Sequence, residues 1–191
     1  MKLYLASGSP RRSELLQQAG YTFDVVLPDI EECRQEKESA KDYVLRLSYQ
    51  KAKAGAELII GSQLTDGNEI VLGSDTVVVL EEQVLEKPID LQDSKRMLLA
   101  LSGRKHQVLT AVTVLHKNKI KSNVVVTDVW FKVLTEEEIE QYWQTGEPCD
   151  KAGSYGIQGL GGRFVSRIEG SYYAVVGLPL FETDQLLQEF F

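Results

Sequence analysis

The stretch Ile70-Val71-Leu72-Gly73-Ser74-Asp75-Thr76-Val77-Val78-Val79-Leu80 decides how this chain folds. It is apolar and β-branched almost throughout, the composition of a strand covered on both faces at the centre of a sheet. Glu81-Glu82-Gln83 then turns the chain into Val84-Leu85, so the segment predicts a β-hairpin. One residue breaks the pattern. Asp75 sits inside the apolar run, where an unpaired ionised carboxylate costs several kcal/mol. Such a residue is expected to be ion-paired, bound to metal, or placed at the ligand-facing end of its strand. The plainer alternative is a turn residue at a bulge marked by Gly73-Ser74.

Outward from this strand, residues 3–6 read as a buried strand, followed by Ser9 as helix cap, Pro10 at the first helical position and Gly20 as stop. A second helix is predicted over residues 40–54, with Ser39 as cap and Gly55 as stop. Its inward stripe is Ala40, Val44, Leu47, Lys51 and Ala54, and a polar loop follows over residues 61–68. Asp90 is placed to cap a helix over residues 92–101 that ends at Gly103. Residues 107–115 and 120–134 predict two antiparallel strands joined around Asn118. Thr135 and Glu138 have capping-box spacing for a helix closed by Gly146 and Pro148. Residues 164–168 and 172–176 have strand composition, and Pro179 opens a C-terminal helix packing through Leu186, Leu187 and Phe190. Helices alternating with hairpins imply an α/β fold with a mixed sheet.

The 191 residues, 43% of them hydrophobic, are enough to bury one sizeable core. A formal charge of −7, from 28 acidic and 21 basic residues, argues against a broad surface for nucleic acid or anionic membrane. Any anion site must be local. Cys33 and Cys149 have neither metal-type spacing nor the density of a disulfide framework, which fits a reducing cytoplasm. The short apolar stretch at residues 3–6 is no export signal, and no segment has the length of a membrane span.

Ser7-Gly8-Ser9-Pro10-Arg11-Arg12 places backbone N–H groups, hydroxyls and two guanidiniums at a helix start that follows a strand. Helix-end N–H groups bind anions and arginine presents a fork matching phosphate oxygens, so the segment suits a polyphosphate. Cations there oppose the helix dipole, which a bound anion would explain; a solvated basic turn is the alternative. Lys51 falls on the buried stripe of its helix, as a ligand of the site or as a lysine snorkelling at the core edge. The hairpin brings Lys87 back towards Asp75-Thr76-Val77, although an edge-strand lysine before Pro88 reads the same way. Glu31 or Glu32 can complete a divalent-metal site with Asp75, or belong to a solvated acidic run. The glycine-rich residues 150–162 allow backbone to approach a ligand closely, and Gln158 there offers donor and acceptor to O4 and N3–H of uracil or thymine. By glycine content alone they read as a flexible surface loop. His106 and His116 are isolated and read as structural.

Taken together these segments resemble the Maf family: Leu5-Ala6-Ser7-Gly8-Ser9-Pro10-Arg11-Arg12, Ser74-Asp75-Thr76-Val77-Val78, Leu85-Glu86-Lys87-Pro88, Leu101-Ser102-Gly103 with His106, and residues 150–159. Gly170-Ser171-Tyr172 and Val176-Gly177-Leu178-Pro179 add to them. The resemblance implies one Maf-like domain over residues 1–191, of Maf/ITPase-like type. Its elongated, curved, mixed β-sheet would be flanked by helices and divided into two lobes around a central cleft. It implies a cytoplasmic pyrophosphatase that cuts a nucleoside triphosphate between the α and β phosphorus. A divalent cation (Mg²⁺, Mn²⁺ or Co²⁺) is implied, and frequently a homodimer. By family pattern Asp75 activates water; Arg11, Arg12, Lys51 and Lys87 hold phosphates; Ser9 lines the site; Glu32 and Asp75 hold the metal. Arg11, Thr76 and Gln158 match substrate-choosing positions, and Ile157-Gln158-Gly159 resembles the branch acting on dTTP and UTP. Rival readings are a pyrophosphatase for 7-methyl-GTP or other modified nucleotides, and a nucleotide-sensing regulator of septum formation. Ser74 stands where the family often has alanine, and Glu86 where it often has glycine, which changes the charge beside Lys87.

Overall fold

The computed structural model describes residues 1–61 and 67–191, so most of the polar loop expected over residues 61–68 lies outside the described residues. In chain order the elements are β1 (Lys2–Ala6), α1 (Pro10–Gln18), β2 (Phe23–Val26), α2 (Ala40–Gly61), β3 (Glu69–Leu80), β4 (Gln83–Leu85) and α3 (Leu91–Leu101). They continue with β5 (Lys105–His116), β6 (Lys119–Phe131), α4 (Glu136–Gln144), β7 (Val165–Glu169), α5 (Tyr172–Val176) and α6 (Leu180–Gln188). Three 3-10 turns, Glu147–Asp150, Ala152–Ser154 and Leu160–Phe164, lie between α4 and β7. The strands form one mixed sheet in the order β2-β1-β3-β5-β6-β7, with β4 pairing β3 off that path. This is the expected α/β class. No helix among the described residues is long and apolar enough to cross a membrane.

Two compact units share the strands, one comprising residues 1–75, 110–125 and 177–191, the other residues 76–109 and 126–176. In the first, β1 runs parallel to β2 and to β3, with Leu3 opposite both Phe23 and Ile70 and Ala6 opposite Gly73. Val44, Leu47, Ser48, Lys51, Ala52, Gly55 and Ile59 form the buried stripe of α2 at helical spacing. Gly55 is not the stop that the sequence suggested. A Cβ there would lie 2.8 Å from that of Ala6 and 3.1 Å from Val26 Cγ2, so glycine lets the helix settle on the sheet and continue. Gly73 answers it from the strand side, where a Cβ would come within 2.6 Å of the Ala52 nitrogen and overlap the Ser48 carbonyl oxygen. The register with β1 runs unshifted to Gly73, and this glycine marks a close approach of the helix.

In the second unit, the later half of β3 pairs with β4, Val78 opposite Leu85, through a turn in which Glu81 adopts φ 58°. Gln107 bonds Asp128 here, and Thr113 bonds Ser122 within the first unit, so β5 and β6 run in opposite directions. The core here gathers Leu98, Leu101, Val129, Phe131, Tyr142, Tyr155 and Phe164. His106 is buried beside it, 2.8 Å from Tyr155 Oη through Nε2 and edge-on to the Phe131 and Tyr155 rings. The capping box of Thr135 and Glu138 forms as its spacing indicated. Residues 172–176 do not form the expected strand. Gly170 (φ 131°) redirects the chain, the Thr127 hydroxyl accepts the Ser171 N–H at 3.1 Å, and Ser171 Oγ accepts the Ala174 N–H at 3.2 Å. That cap starts α5 against the β propensity of its residues. The short edge strand β2 was not foreseen either.

Gly73→Ala should lower stability by about 1–3 kcal/mol, because backbone of α2 has to move to admit the methyl group. Gly61→Ala, where an added Cβ meets nothing within 4 Å, should be neutral within about 0.5 kcal/mol. Urea unfolding of both variants checks the pair. Burial holds the His106 imidazole down at about 4 against its ordinary 6.5, with the Asp128 carboxylate opposing. The unfolded chain therefore binds the proton first, and stability is lost as pH falls from 6.5 towards 4, by about 3 kcal/mol over the whole interval. Urea midpoints should fall more steeply between pH 7 and 5 for the native protein than for His106→Phe; equal slopes would remove His106 from the account.

Candidate active site

The ladder between β1 and β3 ends at Ala6 and Gly73, and the ladder between β3 and β4 begins at Val78. Asp75 falls between them. In open α/β sheets ligands gather beyond the carboxyl ends of parallel strands, and the chain leaving β1 passes through that region. Ser9 takes the helix-cap position of α1 with extended backbone, but its hydroxyl does not cap the helix; its N–H donates to Ser7 Oγ at 3.2 Å. Arg12 is buried, donating Nη1 to Ser7 Oγ at 3.2 Å and Nε to the Gly177 carbonyl at 2.9 Å. The same carbonyl accepts Ser74 Oγ at 3.2 Å, so one backbone oxygen ties the arginine turn to the residue before Asp75. Arg11 lies half-buried beside it.

Helix α2 brings the counter-charge. Lys51 and Asp75 are only 8% and 6% exposed, and Lys51 Nζ donates to Asp75 Oδ1 at 2.7 Å. A second carboxylate, Glu32 Oε1, lies 2.8 Å from the same ammonium. Of the two glutamates considered, Glu32 therefore joins the site; Glu31 lines a surface pocket with Arg34 and Arg46. Burial raises the Asp75 carboxyl above the ordinary aspartate range; Lys51 and Arg12 pull it back and Glu32 pushes it further up. Burial likewise lowers the Arg12 guanidinium, while Asp75 and Glu32 support its charge and Arg11 opposes it. A buried carboxylate with a raised pKa is a better base than an exposed one, and the neighbouring cations favour anions. Among the described residues no three His, Cys, Asp or Glu side chains converge as a metal cage. The two carboxylates, Asp75 and Glu32, meet on the Lys51 ammonium.

Thr76, Lys87 and Gln158 belong to the second unit and are described within it. Thr76 is half-buried, directly after Asp75 in β3; Lys87 is exposed, two residues past the end of β4; Gln158 is exposed between 3-10 turns. The glycine-rich segment around Gln158 is knitted together by a residue that the sequence did not single out. Glu147 Oε1 accepts Tyr142 Oη at 2.7 Å and Gly161 N–H at 3.0 Å, and Oε2 accepts Leu160 N–H at 2.9 Å. Burial works against the charge on Glu147, but these donors outweigh it and hold its pKa low. A Cβ on Gly159 would overlap the Glu147 carboxylate, and one on Gly161 would sit 2.6 Å from Tyr142 Oη, so the glycines make room for the carboxylate. The only signal for this was an acidic residue just ahead of a glycine run.

The family profile described as Maf-like protein matches residues 2–190. The chain is 71% identical over 189 residues to the dTTP/UTP pyrophosphatase of Vibrio vulnificus strain YJ016, covering 99% of this chain and 98% of that one. It is 69% identical over 190 residues to the dTTP/UTP pyrophosphatase of Vibrio parahaemolyticus, covering 100% and 97% of the two chains. The dTTP/UTP pyrophosphatase of Shigella boydii is 55% identical over 188 residues, at 98% and 92% coverage. With its profile matched almost end to end and relatives this similar, the chain belongs to the Maf-like protein family.

Proposed function

We propose that this protein hydrolyses dTTP and UTP between the α and β phosphorus, giving the nucleoside monophosphate and pyrophosphate. The observation that carries the reading is the buried Asp75 carboxylate, 2.7 Å from the Lys51 ammonium and in the field of Arg12, in a chain so similar to dTTP/UTP pyrophosphatases. Asp75 takes a proton from a water whose oxygen attacks the α-phosphorus; the bond from that phosphorus to the bridging oxygen breaks, and pyrophosphate leaves. Lys51 and Arg12 stabilise the charge that builds on the phosphates, and Lys51 keeps Asp75 oriented. Asp75 and Glu32 are the residues that would hold a divalent cation, which would neutralise phosphate charge. By family pattern alone, Arg11 and Lys87 contact phosphates, Ser9 lines the site, and Thr76 and Gln158 take part in choosing the base. The triphosphate is the partner; a homodimer in the cytoplasm completes the proposal.

Asp75→Asn should lower dTTP turnover by on the order of a hundredfold or more. Unchanged turnover in a pyrophosphate-release assay excludes Asp75 as base. Because only ionised Asp75 accepts the proton, activity is lost with falling pH along an acidic limb. A kcat profile places that limb directly. Across dTTP, UTP, 7-methyl-GTP and ITP, the first two should be preferred, and Gln158→Ala should narrow that preference on the order of tenfold in kcat/KM. Equal discrimination before and after the substitution removes Gln158 from base recognition.

A further inference from the structure

Residues 27–39 carry no regular secondary structure and residues 31–37 are exposed, yet this stretch presents the Glu32 carboxylate to a buried ammonium. Segments with so few packing contacts open easily, so something must hold Glu32 in place. Two side chains of α2 grip successive carbonyls of the loop. Tyr43 Oη donates to the Glu32 carbonyl at 3.0 Å, and Arg46 Nη2 donates to the Cys33 carbonyl at 2.9 Å. The Arg46 guanidinium also forks onto Glu38, Nε to Oε1 at 2.6 Å and Nη2 to Oε2 at 2.8 Å, and lies 5.4 Å from the Tyr43 ring centroid. Glu38 closes the loop on itself: its Oε2 accepts the Gln35 N–H at 3.0 Å and its carbonyl accepts Arg34 Nε at 2.8 Å. Tyr43 and Arg46 are three residues apart and so neighbours on the helix surface, and Lys51 follows on the same helix. One rigid element thus supplies the ammonium and fixes the backbone of the acid that meets it.

We propose that Tyr43 and Arg46 are positioning residues, holding Glu32 beside Lys51 and thereby setting the affinity of the site for a divalent cation. This rests on the assignment of Glu32 as a cation ligand made above. Ordering the loop before the cation arrives removes a conformational cost from every binding event, and residues behind metal ligands commonly govern affinity in this way.

The test uses Mn²⁺ as a paramagnetic probe. Its dissociation constant is measured by electron paramagnetic resonance on the full chain with an α,β-imido analogue of dTTP, alongside thermal melting of each variant. Glu32→Gln should weaken Mn²⁺ on the order of tenfold, and Tyr43→Phe and Arg46→Gln severalfold each. In the Glu32→Gln background neither substitution should weaken it further, because each acts through that carboxylate. The proposal is overturned if Glu32→Gln weakens Mn²⁺ while the other two do not, or if their effects persist undiminished once Glu32 is gone. If Glu32→Gln alone changes nothing, the ligand assignment itself fails, and that result is read before either double variant is made.

Discussion

Everything in the first unit turns on how closely α2 approaches β3. Gly73 has no side chain, so the Ser48 and Ala52 backbone can lie against it, and Asp75, two residues along, shares its face of the strand. Lys51, lying between Ser48 and Ala52 in the sequence of the helix, then meets the carboxylate at 2.7 Å without leaving the buried stripe. A core built for stability alone has no need of these charges, since exchanging a buried ion pair for well-packed apolar groups is commonly neutral or favourable. Keeping both charges in the interior, with Arg12 and Glu32 in the same field, makes sense for a site that handles charged ligands.

The second unit solves a different problem by the same means. A run of glycines would cost conformational entropy and hold nothing in place, but here the glycines are the positions where a Cβ would strike Glu147 or Tyr142. The carboxylate collects two backbone N–H groups and a phenol, so a stretch that composition alone describes as flexible becomes a fixed support for Gln158. Ser154, at φ 63° and fully buried, adds a hydroxyl contact to Ser94 at 2.6 Å that pins the segment to α3. Anion and backbone fit each other, and neither is recognisable alone.

This explains which features the sequence exposed. Signals confined to a few neighbouring residues survived folding: Asp90 caps α3, the Thr135 box starts α4, and the apolar run at β3 is central to the sheet. Errors arose where distant residues decide. Gly55 reads locally as a stop, yet its lack of a side chain serves Ala6 and Val26 across the interface. Residues 172–176 have strand composition, but Thr127, far off in sequence, secures the cap that makes them helical. In the site, Asp75 and Lys51 were legible because each violates an apolar pattern. The choice between Glu31 and Glu32 was not, because an irregular loop has no periodicity, and its carbonyls at Glu32 and Cys33 are held by Tyr43 and Arg46 from a different element.

The charges gathered at Lys51 also constrain what else the site requires. Arg12 and Lys51 are opposed by Asp75 and Glu32, so these four groups cancel. In a protein of net charge −7, they cannot by themselves draw in a multiply charged triphosphate. On the reading proposed here, positive charge must come from further cationic side chains and from a cation that arrives with the nucleotide. On that reading Asp75 and Glu32 would be the protein ligands of such a cation, and the phosphates would supply further oxygens.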